Sequence, residues 1–272
     1  MKMKLLIAAL ALASGSANAA MDNSLSGNGS LVLTVIDNLT GVSLTVDLGM
    51  NLEDFLPTGS MVNTGASASW DLTANPDYSA AWTEYLGATG DLSNDTWVVW
   101  AVDQTGTTAG SDRILSTSRD PITLVDDITN SQTIGIGSKM DTYINAVNQY
   151  DNHSTVANGA SVTYTSDNSA FAGQGSAFGL SGKLGNNGSG TWVSWDNIGD
   201  SMSFYMVSNN SGSLLSKATV DTFDNAYGVS TWTFDANGQL VYAAAVPEPE
   251  TYALMLAGLG LVGFAARRRA RG

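Results

Sequence analysis

The chain contains no cysteine, one histidine, five prolines and eleven basic residues among 272. Without cysteine, no disulfide can staple the fold and no thiolate can act as nucleophile or metal ligand, so stability has to come from burial. The single histidine, His153, excludes a multi-histidine metal centre, and a serine–histidine–aspartate triad would have to use it. It lies in the polar run Tyr150-Asp151-Asn152-His153-Ser154 and reads as a surface histidine. No serine sits in a Gly-x-Ser-x-Gly elbow. These absences point to a non-enzymatic protein.

Basic residues are scarcer in the body than the total implies. Lys2 and Lys4 lie in the first four residues, and Arg267, Arg268, Arg269 and Arg271 in the last six. Residues 20–245 keep five basic side chains, Arg113, Arg119, Lys139, Lys183 and Lys217, against 23 acids, a net charge of −18. Such a surface repels phosphate backbones and anionic lipid, which argues against nucleic acid as a partner and against peripheral membrane docking by the body. Divalent cations are the one cofactor class it leaves open. Hard cations want several carboxylate and carbonyl oxygens from one turn, and Asp196 to Asp200 or Asp221 to Asn225, with Asp224 between, can offer them for calcium. Neither stretch has EF-hand spacing, so the expected cofactor is none.

What the body does contain is glycine, serine, threonine, asparagine and aspartate between short apolar runs, the composition of strands joined by turns. Val42-Ser43-Leu44-Thr45-Val46-Asp47-Leu48 alternates with period two, which predicts a strand with one apolar and one polar face, paired with residues 30–37 across Asn38-Leu39-Thr40-Gly41. Near the end of the body, Asn237-Gly238 predicts a two-residue hairpin turn that pairs Trp232 with Ala243 and Phe234 with Val241. The expected fold is mainly β, an antiparallel, jelly-roll-like β-sandwich with two or three short helices.

The helices have their own signals. Asn75 followed by Pro76 predicts a cap and first turn, with Tyr78, Ala81, Trp82, Tyr85 and Leu86 on one face. Ser138 and Asp141 predict the start of a second helix that turns Met140, Tyr143, Ile144 and Val147 inward. Residues 51–56 predict a single turn stopped by Pro57.

The tetrad-like echo Thr96-Trp97-Val98-Val99-Trp100 and Thr191-Trp192-Val193-Ser194-Trp195 predicts strands whose two tryptophans point to opposite faces. One indole of each pair then belongs to the core, and the other is free to act as a platform for a sugar ring, which makes Trp97, Trp100, Trp192 and Trp195 the candidates for a carbohydrate-binding module. A glycan hydrolase would need two carboxylates facing each other across a cleft; Asp126 and Asp127 are adjacent and on a strand would point apart. The run 173–179 lacks the Lys-Ser/Thr ending of a phosphate cradle.

Both ends carry processing signals. Lys2 and Lys4, an apolar stretch over residues 5–13, and the small-residue site Ala17-Asn18-Ala19 before Ala20 predict a signal peptide over 1–19, removed by signal peptidase after Sec-type export. The body is then 20–245. At the other end, Val246-Pro247-Glu248-Pro249-Glu250 precedes an uncharged run over 251–266, about 24 Å as a helix against a hydrocarbon core of about 30 Å. The arginines at 267–271 favour the cytoplasmic side, so the prediction is one transmembrane helix with its acidic, proline-stiffened segment outside.

The Val-Pro-Glu-Pro-Glu segment, the span with Gly258, Gly260 and Gly263, and the terminal arginines together resemble the PEP-CTERM sorting signal of Gram-negative bacteria, a tail also labelled after an ice-binding protein. The body has no regular Thr-x-Thr array on repeated coils, so that label describes the tail alone. The resemblance implies recognition by the membrane protease exosortase at residues 246–250, a transient inner-membrane anchor, and delivery to the cell surface or an exopolysaccharide matrix with a biofilm-associated role.

Overall fold

The computed structural model describes residues 20–56, 59–62, 65–106, 108–119, 128–173, 194–225, 228–246, 255–259 and 261–262. The first hairpin forms as the alternation predicts, with β1 (Ser30–Asp37) antiparallel to β2 (Val42–Asn51). Its turn is held by Asp37, whose carboxylate accepts from the Leu39 and Thr40 amides and the Thr40 hydroxyl. Gly41 closes it at φ 73°, the left-handed conformation that glycine adopts without a Cβ penalty.

Seven further strands continue the pairing in one sheet. Its order is β3 (Ser67–Asp71), β13 (Gln239–Ala243), β12 (Thr231–Phe234), β8 (Ser201–Ser208), β5 (Asp112–Ser118), β4 (Thr96–Gln104), β1, β2 and β6 (Ala160–Tyr164). The short β7 (Asp196–Asn197) pairs with β4 and β9 (Thr219–Thr222) with β8, while β10 (Asp224–Asn225) and β11 (Gly228–Val229) form a separate small hairpin. Every pairing is antiparallel. The architecture is thus a single curled sheet, a half-barrel, and not the two-sheet sandwich expected.

The reason lies in the central strands, which are apolar on both faces. Along β4, Trp97, Val99 and Ala101 enter one core while Val98, Trp100 and Val102 enter another. β1 divides Leu31, Leu33 and Val35 from Val32 and Ile36 in the same way. A sandwich strand would leave one face to water; here the concave face curls round its own contents and the convex face is roofed by a helix. Phe55, Phe204, Phe234, Trp82, Trp97 and Trp232 fill the concave side. Phe55 reaches it from the turn Leu52–Phe55, which matches the turn expected there, although Pro57 lies outside the described residues.

The polar face predicted for β2 is also buried. Ser43 bonds Thr163 on β6, and Thr45 bonds the Tyr143 hydroxyl of the roofing helix. Polar side chains on a covered face are tolerated because they pair with one another.

Two α-helices are present among the described residues before 246, and both start elsewhere than predicted. α1 (Ser79–Thr89) begins beyond Pro76, because the Asn75 side chain accepts from the Asp77 amide and makes the approach a turn. Its buried face is Tyr78, Ala81, Trp82 and Tyr85; Leu86 is exposed. α2 (Asn130–Val147) begins eight residues before Ser138, on a capping box of Thr129 and Gln132. Its extra turns bury Thr133, Ile136 and Gly137 beside the expected Met140, Tyr143, Ile144 and Val147. A Cβ on Gly137 would stand 3.3 Å from Gln104 Cδ, so this helix glycine permits close approach to β4.

The terminal hairpin is registered one residue away from expectation. Trp232 faces Tyr242 and Phe234 faces Leu240. Asp235 accepts from the amides of Asn237 and Gln239, and its own amide donates to Gln239, which makes Ala236-Asn237-Gly238 a three-residue loop with Gly238 at φ 79°. The longer loop places all four large side chains on the buried face.

Candidate functional site at the root of the tail

The last strand of the body is firmly held before the chain leaves it. The Tyr242 hydroxyl donates to the Met61 carbonyl over 3.0 Å, and the buried Ala244 amide donates to the Ala66 carbonyl over 2.9 Å. Gly65, at φ 85°, turns the neighbouring chain aside so that a Cβ there would stand 3.9 Å from Val246 Cγ1, and a Cβ on Gly228 would stand 3.7 Å from that of Ala245. Val246 is exposed. Exposed Val246 therefore stands two residues after the buried Ala244, and in the sequence the proline-glutamate segment follows directly.

Of the predicted sorting residues, Val246 is described, while Pro247, Glu248, Pro249 and Glu250 and the arginines Arg267, Arg268, Arg269 and Arg271 lie outside the described residues. Of the span 251–266, residues 255–259 and 261–262 are helical, with Met255, Leu256, Leu259, Leu261 and Val262 exposed. Among the described residues no helix is long and apolar enough to cross a membrane. At the N-terminus, Ala17 and Ala19 lie outside the described residues and Ala20 is exposed.

The sugar platform is corrected. Trp97 and Trp100 do point to opposite faces, but both are enclosed, as is Trp195, because both faces of the sheet are covered. Their polar atoms are used internally: Trp97 Nε1 donates to the Asn197 carbonyl and Trp100 Nε1 to Thr34. Trp192 lies outside the described residues.

His153 is not at the surface either. It is 1% exposed, packed where the 148–159 segment crosses β2, and burial pushes its imidazole down to about 4, so it is neutral at pH 7. For calcium, Asp196 bonds the Asn197 amide, Asp200 is exposed in the following turn, Asp221 is exposed on β9, and Asp224 falls in β10. Among the described residues no three His, Cys, Asp or Glu side chains converge as a metal site. Asp126 and Asp127, and all but Gly173 of the run 173–179, lie outside the described residues.

Sequence reading missed a set of buried carboxylates. Burial pushes Asp47 up to about 7, although the Gly49 amide and the Ser30 hydroxyl donate to it. Asp95, which accepts from the Tyr85 hydroxyl at 2.7 Å, is pushed up to about 6 by burial, with Asp37 adding repulsion. Asp103 pairs with Arg113, whose Nε lies 2.8 Å away. By register, Asp103 faces Arg113 while Asp112 faces Gln104, so the two acids stand on opposite faces and form no hydrolytic couple. Asp37, Asp47, Asp95, Asp103 and Asp112 are all buried, out of reach of a polymeric substrate. For Asp37, Asp95, Asp103 and Asp112 the only sequence signal was a place at or next to a strand end beside a turn, where aspartate is ordinary, and Asp47 lay within β2 on the polar face of its alternation.

The described residues form a β half-barrel with a filled interior, and its last strand leads in sequence directly into the C-terminal tail. Residues 245–269 match the model of the PEP-CTERM protein-sorting motif, so the chain carries that signal at its C-terminus. The motif indicates export, membrane-anchored sorting and exosortase as the processing partner. No curated protein and no solved structure matches the chain.

Proposed function

We propose that this chain is an exosortase substrate whose half-barrel body, residues 20–245, is a non-enzymatic structural element of the cell surface or exopolysaccharide matrix. The observation that carries the reading is the sorting motif at 245–269, which follows directly on Ala244, whose amide is bonded to the Ala66 carbonyl. In this reading a signal peptide over 1–19 directs export, the 251–266 helix holds the chain briefly in the inner membrane, and cleavage in the tail delivers the body. The burial of Trp97, Trp100 and Trp195 and of Asp37, Asp47, Asp95, Asp103 and Asp112 supports a matrix component over a carbohydrate-binding module or a glycan hydrolase. A compact, acidic, hydroxyl-rich surface serves this role through many weak contacts with exopolysaccharide.

Expression in matched cells with and without an exosortase tests it. The expected result is a lower C-terminal mass and a surface or extracellular location only when the protease is present. Equal mass with permanent membrane retention in both cells would show a plain anchor instead.

A further inference from the structure

The sheet's alternation sorts its loops between two rims. β2, β4, β8 and β13 run in one direction and end at one rim, where β1 and β12 begin. Side-chain and backbone bonds tie this rim together: Leu52 donates to the Gly29 carbonyl, and the Asn28 side chain accepts from the Glu53 amide. The tail leaves from this rim, as the continuation of β13.

Among the described residues of the body eight large apolar side chains are exposed: Leu86 lies on α1, Tyr164 at the end of β6 and Leu39 in the β1–β2 turn, and the other five stand together. Leu25 precedes β1, Leu214 and Leu215 follow β8, Val229 precedes β12 and Val246 follows β13, so all five stand at the tail rim. They are exposed by 66, 61, 84, 49 and 52%. The opposite rim carries Leu39 in the β1–β2 turn and the acidic turns with Asp91, Asp196, Asp200 and Asp235. The tail rim also carries Asp22 before β1 and Glu53 and Asp54 after β2, so negative charge is present at both rims, and the cluster of exposed apolar side chains is what distinguishes the tail rim.

Tail length sets the distance. Residues 245–250 separate the fixed Ala244 from the uncharged run, and six extended residues reach about 20 Å at most. A body on so short a lead stands within about two Debye lengths of the lipid surface for as long as the tail is inserted.

We propose that the tail rim is a lipid-facing surface, on which Leu25, Leu214 and Leu215 rest in the headgroup layer of the phospholipid bilayer while the rim with Leu39 points away. The seating rests on the sorting reading above, because it needs the tail in the membrane. It fixes which side of the body meets the membrane-bound protease and holds the 246–250 segment close to the bilayer, where that protease acts. Apolar side chains at loop tips are stable in this interfacial layer without spanning it.

The absence of native cysteine makes the test direct. Full-length chains carrying Leu25→Cys, Leu215→Cys or Leu39→Cys, each labelled with a fluorophore, are reconstituted in phosphatidylcholine–phosphatidylglycerol vesicles containing headgroup-nitroxide lipid. Labels at 25 and 215 are expected to be quenched about threefold or more relative to the label at 39, as depth in the interface requires. Equal quenching at the three positions in chains that float with the vesicles overturns the lipid-facing rim and leaves the sorting reading intact. Failure to float overturns both. All three positions are exposed, and unchanged tryptophan emission confirms that each labelled chain is folded.

Discussion

The indole Nε1 of Trp70 donates to the main-chain carbonyl of Leu48 over 2.8 Å. Trp70 lies on β3, one edge of the sheet, and Leu48 on β2 beyond the point where β6 stops pairing, so this bond bridges the mouth of the half-barrel. The Tyr78 hydroxyl makes a second bridge to the Asp47 carbonyl, 2.7 Å away. A ladder would have closed the barrel; two side-chain bonds close it instead, and Trp70 also stacks on Trp232 in the core at 5.7 Å. An open edge is thereby covered without a further strand.

Trp70→Phe keeps a stacked ring and removes the bond, and is expected to lower stability by about 1–2 kcal/mol. Trp70→Ala loses the stack as well and is expected to lose about 3–5 kcal/mol. Urea denaturation followed by far-UV circular dichroism measures both. Equal losses would mean that the Leu48 bond contributes nothing.

Asp47 and His153 are expected to tilt the pH dependence of stability in opposite senses. The carboxyl of Asp47 is pushed up to about 7, so between about pH 4 and 7 the folded state holds a proton that the unfolded state has released, and stability falls as pH rises. His153 is pushed down to about 4, so between about pH 4 and 6.5 the unfolded state holds the extra proton, and stability rises with pH. Relative to the parent, Asp47→Asn should therefore gain stability with rising pH across this window and His153→Gln should lose it. Thermal melts at pH 4.5, 5.5, 6.5 and 7.5 are expected to diverge by about 4 °C or more at the ends of the series. Parallel profiles would contradict the burial of both groups.

Two glycines in the same left-handed conformation should respond differently to alanine. Gly238 has φ 79° and a Cβ there would stand 3.0 Å from Trp82 Nε1, whereas Gly90 has φ 71° and no atom within 4 Å. Gly90→Ala should cost about 1 kcal/mol from backbone strain alone, and Gly238→Ala about 2–3 kcal/mol because the Trp82 ring must also shift. Denaturation midpoints of the two variants test the ranking.

Thr129→Ala removes the hydroxyl that accepts from Gln132 at the start of α2, and should cost about 1 kcal/mol. Hydrogen exchange should rise at the first turn, around Gln132 and Thr133, and much less near Ile144. A uniform rise would show that the helix opens as one unit with the sheet.

Much of the first hairpin was legible because its signals are local. Alternation over Val42 to Leu48 and the turn residues from Asp37 to Gly41 lie within a dozen positions of one another. The buried face of α2 was legible from its spacing, but its start was not, since Gly135 and Gly137 look like breakers until β4 is seen beneath Gly137. The register of β12 and β13 was misread because Asn-Gly favours a two-residue turn, while the Asp235 carboxylate stabilises one residue more. For the candidate site, the tail motif could be read in full; the way its root is clamped could not.

By itself the sequence determined the address of this protein, because a sorting signal is read as a linear segment and its prolines, glutamates, uncharged run and arginines are contiguous. It also determined that the body is β-rich, through strand alternation and aspartate-centred turns, both of which act over a few residues. Only the tertiary structure decided that the sheet curls and is covered on both faces, and with that the fates of Trp97, Trp100, His153 and Asp47. Burial is a property of what packs against a side chain, and those partners lie far away in sequence: Trp100 bonds Thr34 across 66 residues, and Thr45 lies under Tyr143 across 98. No local pattern encodes which of two alternating faces will be roofed.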